Sequence, residues 1–170
     1  MNYFLIEGCD LKNGHGCRVS LWTAGCTHKC EGCQNPDTHD CNNGFLFDEN
    51  AVLELHEKLA NRYVQGITFT GGDPLHENNR DEIFALCKMV RDKFPTKDIW
   101  LYTGYTWEQI QKDESLKRVV DLCDVVVDGR FVLSKRDVSL HWCGSSNQRV
   151  IDVKATNGSN EIRLLEGEER

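Results

Sequence analysis

Three cysteines stand close together near the start of the chain, in the spacing CxxxCxxC: Cys26, Cys30 and Cys33. Residues 17–24, just before them, are rich in strand-forming residues, so we expect the cysteines on a loop at the end of a strand. Four thiolates complete a tetrahedral zinc site or an iron–sulfur cluster, whereas three thiolates on a 4Fe-4S cluster leave one iron open to another ligand. The spacing therefore predicts a functional or metal-stapled loop rather than a simple connector.

A zinc site is the simplest alternative, because Cys41, His28 or His39 could supply a fourth ligand. A disulfide framework is disfavoured, since the chain has nine cysteines, an odd number, and its first residues lack the basic start and long apolar stretch of a targeting segment. We therefore expect a reducing, cytoplasmic environment. The spacing by itself leaves zinc and iron–sulfur open.

The composition excludes several classes of partner. The chain has 170 residues, enough for one domain with a substantial core. It carries 27 Asp and Glu against 20 Lys and Arg, a formal charge of −7, and an acidic chain without a basic stretch argues against nucleic-acid binding. No apolar run is long enough to span a membrane, so no membrane association is expected.

Strand-type and helix-type segments alternate along the chain. Strands are predicted at 17–24, 67–70, 98–102 and 124–127, and helices over 49–63, 80–93, from 106 onward and over 115–122. Asn79 with Glu82 resembles a capping box before the second helix, and Thr106 with Gln109 resembles one before the third. After a polar loop, a hairpin is predicted between 150–155 and 161–165, with Asn157-Gly158 as its turn and 166–170 as a loose tail.

The alternation is typical of right-handed βαβ units and predicts an α/β fold with a mostly parallel sheet. Polar loops follow the four strands: the cysteine loop, Gly71-Gly72-Asp73-Pro74, Thr103-Gly104-Tyr105 and Asp128-Gly129-Arg130-Phe131. Because the carboxyl ends of parallel strands share one edge of a sheet, these loops can converge on one site. This convergence favours a cofactor-dependent enzyme over a zinc-stapled module.

The loops carry groups that suit a ligand at an open iron. Such an iron needs a chelating partner, and the amine and carboxylate of S-adenosylmethionine provide one. Gly71-Gly72 exposes backbone carbonyl and amide groups to an ammonium because no Cβ shields them. Asp128 can bind ribose hydroxyls and Arg130 a carboxylate. Taken singly, Gly71-Gly72 is better explained as an ordinary tight turn, and Asp128 with Arg130 as a surface ion pair.

A resemblance to a known family joins these features. Its segments occur in this order: Asn13-Gly14-x-Gly16, Gly25-Cys26-x-His28-x-Cys30-x-Gly32-Cys33, Gly71-Gly72-Asp73-Pro74-Leu75, Asp98-Ile99-Trp100, Thr103-Gly104-Tyr105, Val127-Asp128-Gly129-x-Phe131 and Gly144-Ser145-Ser146-Asn147-Gln148. The cysteine motif with the Gly-Gly-Asp-Pro loop resembles the radical S-adenosylmethionine superfamily. The ordered set is similar to its family of activating proteins for anaerobic ribonucleotide reductases. The resemblance covers residues 1–151, with departures at His15 and Gln34, where proline and an aromatic residue are usual.

The resemblance implies a cofactor site. Cys26, Cys30 and Cys33 would hold one 4Fe-4S cluster, and S-adenosylmethionine would chelate its unique iron. The residues implied for S-adenosylmethionine are Gly72 and Asp73 at the methionyl amine, Gly32 and Gln34 at the adenine, Asp128 and Arg130 at the ribose and carboxylate, and Gly71 and Thr103 beside them.

The resemblance also implies an activity and a fold. An electron passed through the cluster would cleave S-adenosylmethionine to methionine and a 5′-deoxyadenosyl radical, which would take a hydrogen atom from a glycine of the large reductase subunit. A donor such as a flavodoxin would supply the electron. The implied fold is a shortened, open (partial) α/β barrel, with a radical S-adenosylmethionine domain over 1–151 and a C-terminal extension over 152–170.

Three other interpretations stay open on the sequence. One is another radical S-adenosylmethionine enzyme, either a different glycyl-radical activase or a modifier of small molecules. Another is a zinc-stapled interaction module. The last is a simple electron carrier, which would need four cysteine ligands and no nucleoside site.

Overall fold

The computed structural model describes residues 1–159 and 161–167. Seven strands lie in one sheet: β1 (Asn2–Asp10), β2 (Arg18–Thr23), β3 (Phe45–Leu46), β4 (Gly66–Gly71), β5 (Asp98–Tyr102), β6 (Val125–Asp128) and β7 (Arg149–Asp152). Their order across the sheet is β3-β1-β2-β4-β5-β6-β7. The α/β class predicted from the alternation of segments is confirmed.

The described residues form five α-helices: α1 (Glu49–Leu59), α2 (Arg80–Lys93), α3 (Trp107–Ile110), α4 (Glu114–Val120) and α5 (Val153–Asn157). Short 3₁₀ turns lie at Pro36–His39 and Leu133–Lys135. The capping box at Thr106 is confirmed, because its side chain accepts from Gln109 N while the Gln109 side chain accepts from Thr106 N. None of these helices is long and apolar enough to cross a bilayer.

The sheet is mixed, so the prediction of a mostly parallel sheet is wrong. Only the centre is parallel, where β2, β4, β5 and β6 pair in turn. Strand β1 lies where no strand was predicted. It runs antiparallel to β2, because the connection 11–17 is too short for a crossover. Strand β3 pairs antiparallel with β1, and β7 with β6. Between β6 and β7 the described chain has no α-helix to serve as a crossover.

The two faces of the sheet differ in chemistry, as the period-two alternation of strand side chains requires. One face packs against the helices through fully buried apolar residues, among them Val19, Leu21, Ile67, Phe69, Ile99 and Leu101. On the other face Arg18 is fully buried, and its Nε donates to Thr68 Oγ1 at 2.7 Å while Nη2 pairs with Asp98 at 2.5 Å. The guanidinium also lies 5.2 Å from the Trp100 ring centre. The second face is therefore polar, although buried, around Arg18, whereas Trp100, Val125, Val127 and Val150 form an apolar cluster farther along it.

The C-terminal hairpin is only partly formed as predicted. Leu164 pairs antiparallel with Ile151, so the two expected segments do meet. However, helix α5 connects them rather than a two-residue turn at Asn157-Gly158, because the Asp152 side chain accepts from Ala155 N and caps a helix there. The expected tail at 166–170 lies mostly outside the described residues.

Candidate functional site

The four strand-end loops meet at a cavity of about 470 Å³ at the carboxyl ends of β2, β4, β5 and β6. The predicted convergence of these loops is therefore confirmed. Predicted site residues that line the cavity are Cys26, Cys30, Cys33, Gln34, Gly71, Gly72, Asp73, Thr103 and Arg130. The volume lies within the range of small-molecule sites, which is roughly 300–1,000 Å³.

The cysteine loop is fixed at its base by backbone hydrogen bonds. Gly25 N donates to Thr38 O at 2.8 Å, and Cys26 N donates to His39 O at 3.0 Å. The acceptors belong to the 3₁₀ turn that closes the loop, which begins at Pro36. Gly25 has a φ of +99°, and a Cβ there would lie 3.1 Å from Cys41 Cβ, so the loop requires glycine at this point.

The thiols of the motif are partly buried beside this base. Burial raises the pKa of the Cys26 thiol to about 11, so without a cation the thiol keeps its proton. A metal that binds here must displace that proton. Among residues 1–159 and 161–167, no three His, Cys, Asp or Glu side chains gather in a ready-made site for a metal ion.

His28 links three of the loops. Its Nε2 lies 2.7 Å from Asp73 Oδ2, and Arg130 Nε donates to its Nδ1 at 3.2 Å. A guanidinium can only donate, so Nδ1 is the acceptor of the bond from Arg130. Nε2 therefore carries the hydrogen and donates it in the hydrogen bond to Asp73. The ring packs edge-on against Tyr105, with ring centres 4.7 Å apart. A Cβ at Gly104 would overlap this ring, so the Thr-Gly-Tyr turn needs its glycine to admit His28.

Asp73 is buried and both of its carboxylate oxygens accept hydrogen bonds within the protein. Besides His28, its donors are Leu75 N at 2.8 Å, Thr103 Oγ1 at 3.0 Å and Gly104 N at 3.1 Å. Asp73 therefore ties the Gly-Gly-Asp-Pro loop to the cysteine loop and to the Thr-Gly-Tyr turn. Its contact with a methionyl amine stays a prediction.

Gly72 allows the Gly-Gly-Asp-Pro loop to approach the cysteine loop closely. A Cβ at Gly72 would lie 2.6 Å from Gly25 O and 3.0 Å from Thr38 O, and the first distance is shorter than a Cβ atom of a folded protein tolerates. Asp73 N donates to Gly25 O at 2.8 Å, which fixes the same approach. The absence of a side chain at Gly72 is thus required for the two loops to pack, independently of any ligand.

Asn79 is a structural residue of the site whose role the sequence did not indicate. Its Nδ2 donates to Ala24 O at 2.7 Å and to Asp73 O at 2.9 Å, and the residue is fully buried. The predicted capping box with Glu82 is wrong, because the Asn79 side chain makes no capping bond to α2. In a sequence, an asparagine directly before a helix indicates a helix cap. Only the fold shows that Asn79 instead joins the start of the cysteine loop to the Gly-Gly-Asp-Pro loop.

Two predicted site residues do not line this cavity. Asp128 is buried and accepts from Trp107 N at 2.7 Å and from Arg149 Nε at 3.0 Å; it borders a neighbouring cavity of about 480 Å³. Gly32 sits on the outside of the cysteine loop, where a Cβ would lie 3.0 Å from Leu133 Cδ1. Arg130 borders both cavities and can reach a ligand in either.

Three cavity residues that the sequence did not place at the S-adenosylmethionine site carry buried ring nitrogens. Within the described part of the chain, no hydrogen-bond partner is found for Trp22 Nε1, His39 Nε2 or Trp142 Nε1. All three residues line the main cavity. Buried polar groups of folded proteins are normally paired, so these atoms indicate a polar ligand or ordered water in this space.

Comparison with known proteins decides the family. Residues 12–151 match a family model described as a 4Fe-4S single cluster domain. The anaerobic ribonucleoside-triphosphate reductase-activating protein of Enterobacteria phage T4 is 50% identical over 150 residues, covering 88% of this chain and 93% of that protein. The protein of the same name from Escherichia coli K12 is 41% identical over 154 residues, covering 88% and 97%. The chain belongs to this family of reductase-activating proteins.

The matched domain is a 4Fe-4S domain, which supports an iron–sulfur cluster rather than zinc in this chain. That Cys26, Cys30 and Cys33 are its ligands stays a prediction. The protein of Pasteurella multocida, 39% identical over 150 residues, carries the same name. The donor set fits the cluster, since three thiols border one cavity together with unpaired N–H groups and exposed glycine backbone. The zinc-stapled module and the four-thiolate electron carrier are thereby set aside.

Proposed function

We propose that this protein activates an anaerobic ribonucleotide reductase by reductive cleavage of S-adenosylmethionine, which leaves a glycyl radical on the large reductase subunit. The observation that carries the proposal is the junction of His28 with Asp73 and Arg130 beside the three cysteines. That junction brings the cysteine loop to the same cavity as the Gly-Gly-Asp-Pro loop after β4 and the loop after β6. When bound, the cluster supplies the electron for cleavage of the sulfonium carbon–sulfur bond.

Residues of the chain would bind and orient S-adenosylmethionine. The backbone of Gly71 and Gly72 offers carbonyl and amide groups to the methionyl amine, and Arg130 offers a guanidinium to the carboxylate. Thr103 is held by Asp73 at the same edge. The buried N–H groups of Trp22 and Trp142 provide further donors along the cavity wall. These contacts would align the cofactor and exclude water from the radical.

The shape of the sheet supports a protein substrate. Strands β3 and β7 stand at opposite ends of the strand order, and within 1–159 and 161–167 no pairing joins them. We infer a partial barrel whose open side admits the glycine-bearing loop of the reductase. A closed barrel of eight units needs more residues than this chain has, typically about 250. The division into a 1–151 domain and a 152–170 extension belongs to this proposal.

The remaining partners follow from the same chemistry. An external one-electron donor, such as a flavodoxin, would reduce the cluster, and the cytoplasm is the compartment whose thiols stay reduced. Neither nucleic acid nor a membrane has a part in the proposal.

Product analysis tests the proposal. The anaerobically reconstituted protein is incubated with S-adenosylmethionine and dithionite, with and without the large reductase subunit. We expect methionine and 5′-deoxyadenosine in equal amounts, and their loss in the Cys30→Ala variant. Methionine release that is unchanged in Cys30→Ala would contradict cleavage at the cluster.

A further inference from the structure

Two cysteines outside the cavity face each other on the first hairpin. Cys9 lies near the end of β1 and Cys17 directly precedes β2, and the Cys17 thiol donates to the Cys9 sulfur at 2.9 Å. A disulfide joins its two sulfurs at about 2.05 Å, so only a small movement separates these thiols from a bridge. Neither belongs to the CxxxCxxC motif, and the proposed function uses neither.

The two thiols differ in their access to solvent. Cys9 is exposed, whereas Cys17 is half-buried against the core. The pKa of the Cys17 thiol is raised, chiefly because it donates its hydrogen to Cys9, and burial adds to the effect. Cys9 is therefore the sulfur that solvent reagents meet first, with Cys17 placed behind it.

We propose that Cys9 and Cys17 form a thiol–disulfide exchange site for low-molecular-weight disulfides such as glutathione disulfide. The Cys9 thiolate attacks one sulfur of the small disulfide, the S–S bond breaks, and one glutathione thiolate leaves and takes up a proton. Cys17 then gives up its proton and attacks the Cys9 sulfur, which expels the second glutathione. The two protein thiols are oxidised to one disulfide, and one glutathione disulfide is reduced to two thiols.

Hydrogen bonds beside the two cysteines hold the hairpin loop in place. Asp10 accepts from Ser20 Oγ at 2.5 Å across the two strands and from Asn13 Nδ2 at 2.5 Å within the loop. Asn13 O in turn accepts from Thr68 Oγ1 at 2.7 Å. Closing the bridge would therefore need no refolding of the loop. Asn13 also borders the main cavity, so the exchange site lies next to the functional site without being part of it.

A second cysteine pair provides an internal control. Cys87 and Cys123 lie in the core at 0% and 1% exposure, and a hydrogen bond to Cys87 raises the pKa of Cys123. Disulfides in solvent cannot reach either sulfur while the protein stays folded. Disulfide formation can thus be compared in one molecule between a buried pair of neighbouring cysteines and an accessible pair.

Peptide mapping tests the proposal on the cluster-loaded protein under anaerobic conditions. The protein is equilibrated in glutathione buffers of graded oxidised-to-reduced ratio, alkylated and digested with trypsin. Cleavage after Lys12 and Arg18 gives peptides 1–12 and 13–18, each with one cysteine. We expect a linked 1–12/13–18 species that grows with the ratio and is lost after dithiothreitol, without any Cys87–Cys123 link. Unlinked peptides at every ratio, alkylated or singly glutathionylated, would overturn the proposal.

Single variants check the order of attack. Cys17→Ser should trap one glutathione on Cys9, because no second thiol is present to resolve it. Cys9→Ser should leave Cys17 unmodified over the same time. Equal glutathionylation of Cys17 in Cys9→Ser and of Cys9 in Cys17→Ser would contradict Cys9 as the attacking sulfur. None of these readings depends on S-adenosylmethionine or on the reductase, so the result is independent of the proposed activity.

Discussion

The Nε2 atom of His28 lies 2.7 Å from Oδ2 of Asp73, and this hydrogen bond joins the cysteine loop to the Gly-Gly-Asp-Pro loop. Both side chains are largely withdrawn from solvent, at 7% and 3% exposure. On its other side, the ring accepts from Arg130 Nε, which extends the link to the loop after β6. One histidine between two motif cysteines thus holds together loops that come from three parallel strands.

Replacing His28 should loosen this junction before it affects the cluster. His28→Ala removes one donor from buried Asp73, which costs about 1–3 kcal/mol. We expect a lower free energy of unfolding of the cluster-free protein and weaker S-adenosylmethionine binding by calorimetry after reconstitution. His28→Gln, which can still donate, should recover part of both. His56→Ala on α1 is the matched control, and an equal loss there would contradict a specific role for His28.

The three motif cysteines should be individually essential for the cluster. Cys26→Ala, Cys30→Ala or Cys33→Ala should each abolish iron and sulfide incorporation during anaerobic reconstitution, because a 4Fe-4S cluster with two thiolate ligands is poorly held. Cys41→Ala, a cysteine next to the loop base, should keep both at the level of the unchanged protein. Loss of iron in Cys41→Ala alone would instead indicate a four-thiolate site.

Gly104 should tolerate no side chain. A Cβ at this position overlaps the His28 ring, so Gly104→Ala forces the ring out of its hydrogen bonds and should destabilise the protein by about 1–3 kcal/mol. Gly158→Ala is the control, since its nearest neighbour would lie 3.4 Å from the new Cβ. Urea denaturation of both variants measures the difference. Equal midpoints would show that the ring can shift without cost.

Stability should depend on pH through Glu108. The Arg149 guanidinium lowers the pKa of Glu108 from 4.5 to about 2, so its contribution is present above pH 4.5 and is lost as the pH falls toward 2. Because Glu108 is largely exposed, the contribution is small, at most about 1 kcal/mol. Denaturation midpoints of the unchanged protein and Glu108→Gln should differ at pH 7 and converge as the pH falls. A gap that widens with acid would contradict the ion pair; Glu57→Gln is the control.

The fold was predictable where local signals and burial agree. Helix α2 begins and ends at the residues predicted, and β5 does so too, because an apolar period coincides there with clear end signals such as Pro95. Strand β1 was not predicted, since its residues are largely half-buried and show no regular alternation. Pairing with β2 and β3 makes it a strand, and pairing depends on residues distant in the sequence.

The candidate site, too, was predictable from the sequence only in part. The cysteine spacing and the glycine-rich turns carry their chemistry in short motifs, and both line the cavity. From the sequence, His28 was considered only as a zinc ligand and Asn79 only as a helix cap. Their observed roles rest on partners 45 to 102 residues away for His28 and 6 to 55 residues away for Asn79. Asp128 was expected at the ribose, but its carboxylate accepts from Arg149, a residue that only the antiparallel return of β7 brings beside it.

Electron paramagnetic resonance of the partner gives the most direct test of the central claim. The reconstituted protein is mixed anaerobically with the large reductase subunit, S-adenosylmethionine and a strong reductant, and the subunit is prepared with glycine labelled or unlabelled at its α-carbon. We predict an organic radical signal whose hyperfine pattern changes with the label, and its absence with Cys33→Ala. Cofactor cleavage without any glycine-dependent signal would contradict activation of the reductase.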